Sequence, residues 1–272
     1  MRVRPSPAFA VLLPLAFLAA CGPATAQNPD GAPPPAAEAP DPRLERVRAA
    51  MDTIGLPMEL RDRFESERAR FLALLEPVLA DLAADPMRFA RADKLVALPE
   101  DYEAADLVLL KPLGIAVSRD DHRLRAGAAA ALAAMARAAT AEGHTLVAAS
   151  TYRSYAYQET VYARWVRELG QERADRVSAR PGRSQHQLGT VLDFAPIDNA
   201  FATTGAGLWV AANAARFGFS LSYPRGLESL TGYDWESWHW RWLGVPAATL
   251  QRECFGDVQH WLILFLEAWT GD

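Results

Sequence analysis

The 272-residue chain is 50% hydrophobic and 22% charged, with a formal net charge of −5 at pH 7. That composition excludes a disordered chain, which carries fewer apolar residues, and speaks against a nucleic-acid binder, which carries a basic surplus. Two cysteines exclude a disulfide framework, and the length allows one large domain or two small ones with ample core.

Residues 1–20 read as an export signal. Arg2 and Arg4 give a positive start, and Ala8 to Ala20 form a short apolar run broken by Pro14. A membrane-spanning helix needs about 20 apolar residues, so this run fits a signal-peptide core instead. It ends in Leu18-Ala19-Ala20-Cys21-Gly22, which resembles a bacterial lipobox and implies cleavage before Cys21 and lipid on its thiol. The alternative is a soluble exported chain cut after Ala24-Thr25-Ala26. Ten of the 19 prolines fall in the first 42 residues, so residues 21–42 form a tether.

Residues 43–95 carry helical periodicity. Leu44, Val47 and Met51 recur at that spacing, as do Phe64, Phe71, Leu75, Val78 and Leu82, with Pro57 and Pro86 as punctuation. This predicts an antiparallel helical pair packed on a main domain of residues 96–272.

In that domain, Ala126 to Ala141 predict a helix closed by Gly143, and Thr145 to Ser150 a strand. Gln158 to Leu169 predict an amphipathic helix, Ser178 to Leu188 a loop and Val191 to Phe194 a strand. A helix over Leu208 to Phe217 follows, then strands over Phe219 to Tyr223 and His239 to Leu243. One helix from about Ala247 to Trp269 closes the chain, with Cys254 half-buried on it. Strand alternation places Trp240 and Trp242 in the core, opposite His239 and Arg241. Helices and strands mix without regular alternation, which predicts an α+β fold.

Two of the five histidines stand near carboxylates, in Ser184-Gln185-His186-Gln187-Leu188-Gly189-Thr190-Val191-Leu192-Asp193 and in Glu236-Ser237-Trp238-His239. A catalytic zinc site takes three protein ligands and leaves a fourth position open. Two histidines and an aspartate satisfy that, with a glutamate spare as proton carrier. Glu236 and His239 are three apart, so a turn or bulge before the strand is needed to bring both to one cavity. His122, His144 and His260 have no carboxylate in register and are read as structural.

The pattern Ser-x-His-x-x-Gly-x-x-x-Asp followed by Glu-x-Trp-His resembles the VanY-type D-alanyl-D-alanine carboxypeptidases of the LAS group of zinc metallopeptidases. The resemblance extends to Ser150-Thr151-Tyr152-Arg153-Ser154-Tyr155 with Gln158, and to Ser178-Ala179-Arg180-Pro181-Gly182-Arg183. Downstream it includes Asn213 to Phe219, Tyr223-Pro224, Thr231-Gly232-Tyr233 and Trp242-Leu243-Gly244. It implies a small, mostly antiparallel sheet flanked by helices. It also implies one zinc ion on His186, Asp193 and His239, with Glu236 as general base. Arg153 corresponds to the residue that holds a substrate's terminal carboxylate, with Ser184 and Gln158 as helpers. Thr151 stands where glycine is common and Val191 where a small residue is, so both bear on the pocket's shape.

The resemblance implies a zinc D,D-carboxypeptidase removing terminal D-alanine from peptidoglycan stem peptides. With the N-terminal address, the expected place is periplasmic or at the cell surface, on a membrane through Cys21, with no nucleic-acid partner. The alternatives are a D-Ala-D-Ala dipeptidase or other wall peptidase with the same site, and a non-catalytic zinc-bearing wall-binding protein.

Overall fold

The computed structural model describes residues 41–271. The expected export signal, Cys21 and the expected tether up to Pro40 lie outside the described residues. Pro42, expected as the last residue of the tether, instead opens the first helix, a position where a missing N–H costs nothing. Asp41 caps that helix by accepting from the Arg43 N–H at 2.9 Å.

Three helices stand where a pair was predicted: α1 (Pro42–Thr53), α2 (Met58–Ser66) and α3 (Arg68–Ala84). Gly55 at φ 62° and Pro57 end the first, as the sequence signals. The break between α2 and α3 falls at Glu67, which leaves helical geometry (φ −125°, ψ 33°) without any breaker residue. The C-terminus also differs from its predicted single helix. It forms α9 (Val245–Cys254) and α10 (Gln259–Thr270), separated by Gly256 and Asp257 at φ 63° and 60°. Apolar periodicity runs through this break, so periodicity alone merges the two.

The N-terminal helices share one core with α9 and α10. Phe71 on α3 is fully buried, its ring 5.0 Å from Phe64, 5.9 Å from Phe265 and 6.0 Å from Phe255. Cys254 lies in the same core, and burial pushes its thiol up to about 11, which makes it an inert packing residue.

A two-stranded antiparallel ribbon joins β1 (Leu107–Leu109) to β3 (Arg123–Arg125). The main sheet contains β2 (Ala116–Val117), β4 (Val147–Ser150), β5 (Val191–Phe194), β6 (Phe219–Leu221) and β7 (His239–Trp242), in the order β2-β4-β5-β7-β6. All its pairings are antiparallel except β2 with β4. The fold is therefore α+β around a mostly antiparallel sheet. On one face, Leu192, Trp240 and Leu221 stand abreast and pack into a core with α4 (Ala126–Ala141) and α7 (Gly205–Asn213). Alternation then turns Asp193 and His239 to the other face. That face meets α5 (Tyr155–Leu169), α6 (Gln171–Val177) and the loop after α8 (Glu228–Thr231) around an open cleft.

Candidate active site

Asp193 sits in a strand whose four residues are all buried, an expensive place for a carboxylate unless it is used. The register of β5 on β7 sets it directly opposite His239, so both side chains point to one face. The Asp193 Oδ1 to His239 Nδ1 distance is 3.1 Å. Glu236 lies in the turn before β7, and the His239 N–H donates back to its carbonyl at 3.3 Å. That turn is what brings Glu236 to the same side, with Oε2 3.3 Å from His239 Nδ1.

His186 arrives from a 3-10 turn over Gln185–Leu188, capped by Ser184, whose hydroxyl accepts from the His186 N–H at 3.4 Å. Gly189 ends the turn at φ 71°, where a Cβ would lie 2.9 Å from Leu107 Cδ2. Only glycine meets both conditions. The turn sets His186 Nε2 3.3 Å from Asp193 Oδ2. Arg153, in the loop after β4, donates from Nη1 to Gln158 Oε1 at 2.8 Å and holds Nη2 3.6 Å from Asp193 Oδ2.

One donor atom from each of His186, Asp193 and His239 lies within 4.8 Å of the others. His186 Nδ1 donates to the Thr151 carbonyl at 2.7 Å, which leaves the Nε2 lone pair free. His239 Nε2 faces Gln185 Oε1 at 3.4 Å, which likewise turns Nδ1 inward. His186 Nε2 and Asp193 Oδ1 are buried with no hydrogen-bond partner despite their close approaches. Their lone pairs converge on shared space instead of on each other, so this donor set fits a tetrahedral divalent ion with a fourth position open.

The electrostatics agree. Burial, then the nearby Arg153 charge, pushes the His186 ring down to about 4, so it stays a neutral donor. Burial opposes charge on His239 too, but Asp193 and Glu236 outweigh it and lift that ring to about 9. The site between the two carboxylates thus favours a positive charge. Burial alone would raise Asp193, yet His186 and His239 hold it well below the usual carboxylate range. Glu236 goes the other way: burial raises it, only partly offset by His239.

The cleft has a volume of about 710 Å³, and His186, Asp193, His239, Glu236, Arg153 and Ser184 all reach its wall. Gln158 does not. It is 1% exposed and spends its carbonyl on Arg153 and its amide on the Ala179 carbonyl (2.7 Å), so it acts through Arg153 and not on a ligand. Val191 is fully buried in β5 and leaves the cleft's shape alone, whereas Thr151 is on the wall. His122, read from sequence as structural, is on the wall as well. Trp242 packs against the sheet's core and Trp240 is buried in it, as alternation predicted, while Trp235 and Trp238 line the cleft.

Sequence reasoning missed Asn199. Its amide bonds the Trp235 carbonyl (3.0 Å) and the Ser237 N–H (3.1 Å), clamping the loop on either side of Glu236. It lies 37 positions from Glu236 with no motif to mark it. Tyr223, of the Tyr223-Pro224 motif, sets its ring 4.8 Å from that of His239.

The VanY family profile, D-alanyl-D-alanine carboxypeptidase, matches residues 121–245. YodJ of Bacillus subtilis (strain 168), whose name carries a provisional carboxypeptidase assignment, is 37% identical over 171 residues, or 60% of this chain and 63% of that protein. The chain thus spans somewhat under two thirds of that relative's length. Among solved structures, the LD-carboxypeptidase LdcB aligns with a TM-score of 0.60 and 34% identity, over 67% of this chain and 87% of that one. The D,D-pentapeptidase VanY of a VanB-type resistance cassette, in complex with Zn(II), aligns with a TM-score of 0.51 and 27% identity over 61% of this chain and 93% of its own. The matched profile, the shared fold and a His-Asp-His cluster beside a buried glutamate agree, and the chain belongs to the VanY family of D-alanyl-D-alanine carboxypeptidases.

Proposed function

We propose that the protein is a zinc-dependent carboxypeptidase of the cell wall, acting on the terminal D-alanine of peptidoglycan stem peptides. The observation that carries this reading is the convergence of Arg153, His186, Asp193, Glu236 and His239 on one cleft. His186, Asp193 and His239 would hold a single zinc ion, which when bound would supply the Lewis acidity to acidify water and polarise a carbonyl oxygen. Glu236, its pKa raised by burial, takes the proton of the attacking water and returns it to the leaving amine. Arg153 offers a planar fork to the substrate's terminal carboxylate and selects chain ends over internal bonds. Ser184 holds the turn that aims His186, and its place on the cleft wall leaves it within reach of substrate.

D,D specificity is supported by the family profile and by the zinc-bound VanY pentapeptidase. A second reading, L,D-carboxypeptidase, is favoured by the better alignment with LdcB. Amine release from a stem ending in D-Ala-D-Ala, beside one ending in an L-residue and a single D-alanine, separates them. Turnover of the first alone supports the D,D reading, and turnover of the second alone replaces it. Turnover of neither, or rates unaffected by a zinc chelator, removes the zinc carboxypeptidase altogether.

The N-terminal address belongs to the same proposal: export, with lipid on Cys21 tethering the catalytic unit at a membrane. Among the described residues no helix is long and apolar enough to cross one. Radioactive fatty acid should label the protein and should not label Cys21→Ser.

A further inference from the structure

We propose that His122 and Thr151 are positioning residues that set the aim of His186, through a one-way chain of hydrogen bonds. The proposal rests on the reading of His186 as a metal ligand. His186 takes its orientation from the Thr151 carbonyl, which its Nδ1–H meets at 2.7 Å. Thr151 follows the end of β4 and is 2% exposed, and its own position is fixed by its side chain. The Thr151 hydroxyl accepts from the Arg123 N–H at 3.2 Å and lies 3.1 Å from His122 Nδ1. A hydroxyl has one proton and two lone pairs, so either tautomer of His122 could meet it; the arrangement that leaves no donor without an acceptor sends the Thr151 proton to His122 Nδ1. His122 then bears its own proton on Nε2, 2.9 Å from the Ser118 hydroxyl, whose proton goes on to the Ala149 carbonyl at 3.1 Å. With that tautomer each hydrogen has one destination, and the chain runs from Thr151 to the Ala149 carbonyl. His122 is 6% exposed, and burial lowers its pKa, which keeps the ring neutral as the chain requires.

Two backbone bonds complete the frame. The Tyr152 N–H meets the Arg123 carbonyl at 3.1 Å and the Arg153 N–H meets the His186 carbonyl at 3.3 Å. With these alone, the peptide that aims His186 is tied on its C-terminal side. The Thr151 hydroxyl adds an anchor at the residue that supplies the carbonyl. The Thr151 side chain thereby connects this peptide to β3 through Arg123 and to the segment after β2 through His122.

The test compares Thr151→Val, which keeps the shape and loses the hydroxyl, with Thr151→Ser, which keeps the hydroxyl, and with His122→Ala. The first readout is zinc affinity by competition with a chromophoric chelator. The second is the ring nitrogen shifts of His186 in the metal-free protein, which report where its proton sits. Outer-shell partners of a ligating histidine carry about 10–100-fold in metal affinity, and this chain stands one bond further out, so Thr151→Val and His122→Ala are expected to weaken zinc by about tenfold. Both should also lose the pure Nδ1–H form of His186. Thr151→Ser should restore affinity to about that of the parent and keep the tautomer, and the double variant should be no weaker than the weaker single one. Parent-like zinc affinity and tautomer in Thr151→Val would overturn the proposal, as would losses in Thr151→Ser equal to those in Thr151→Val. A parent protein that takes up no zinc would defeat the reading of the metal site, and the tautomer measurement would still decide this proposal.

Discussion

In the proposed mechanism Glu236 and Arg153 divide the chemistry at the scale of single residues. Glu236 is placed to move a proton, so Glu236→Gln keeps the shape and loses the base. Turnover is expected to fall by about 10²–10⁴-fold, the usual worth of a positioned acid–base group, while zinc affinity measured by chelator competition stays near that of the parent. Arg153 is placed to bind, with its fork aligned by Gln158. Arg153→Lys keeps the charge and loses the bidentate geometry. A charge-assisted hydrogen bond contributes about 1.5–3 kcal/mol, so kcat/KM on free chain ends should drop by about 10–100-fold, mostly through KM. An equal loss on substrates with a blocked C-terminus would remove Arg153 from carboxylate recognition. His186, Asp193, His239, Glu236 and Arg153 were all legible in the sequence, because each lies in a short motif with its neighbours. Asn199 and the His122–Thr151 pair were not, because their partners are distant in the chain and become neighbours only through the sheet and its flanking loops.

At the scale of elements, the turn-plus-strand from Glu236 to Trp242 and the capped turn at His186 do the positioning, and packing behind them keeps both in place. Phe71 on α3 is the centre of the helical core that closes around α9 and α10. Phe71→Ala is expected to cost about 3–5 kcal/mol, read as a fall in Tm of about 6–20 °C for a chain of this size. The segment between α3 and the cleft hangs on Asp93, which accepts from Arg91 and from the N–H groups of Leu95 and Val96. Burial alone would raise the Asp93 pKa, but those bonds outweigh it and hold the carboxyl below its ordinary value. A carboxyl with a depressed folded pKa stabilises above the unfolded value of 3.8 and loses that contribution as pH falls through the folded value. Acid unfolding followed by circular dichroism should therefore show a loss of stability below about pH 4 that Asp93→Asn flattens, at the expense of a lower Tm at neutral pH. The break at Glu67 was hidden in the sequence, since apolar spacing continues through it with no breaker residue, whereas Gly256-Asp257 marks the other break within a stretch whose apolar spacing also continues. The positions of β5 and β7 were legible because buried, apolar residues alternate there with the site residues.

For the molecule as a whole, the metal site links β5, β7 and the His186 turn, so an ion bound there stabilises the folded state by mass action. At zinc concentrations about 100-fold above Kd the gain is about 2.7 kcal/mol, and chelation should lower Tm by about 5–11 °C, reversibly. His239→Ala should abolish the zinc-dependent shift; a shift that survives would place the ion elsewhere. The sequence by itself determined the α+β class and the main strands, and it pointed to the candidate ligands, to Glu236 and Arg153, and to the N-terminal address as expectations. These are carried by local pattern: period, turn residues and motifs of ten residues or fewer. The tertiary structure alone decided that Asp193 faces His239 across a strand pair, that the N- and C-terminal helices share one core, and which bonds Gln158, Asn199, Thr151 and His122 make around the site. Strand register and hydrogen-bond direction depend on atoms brought together from far along the chain, and no local pattern records which of them will meet.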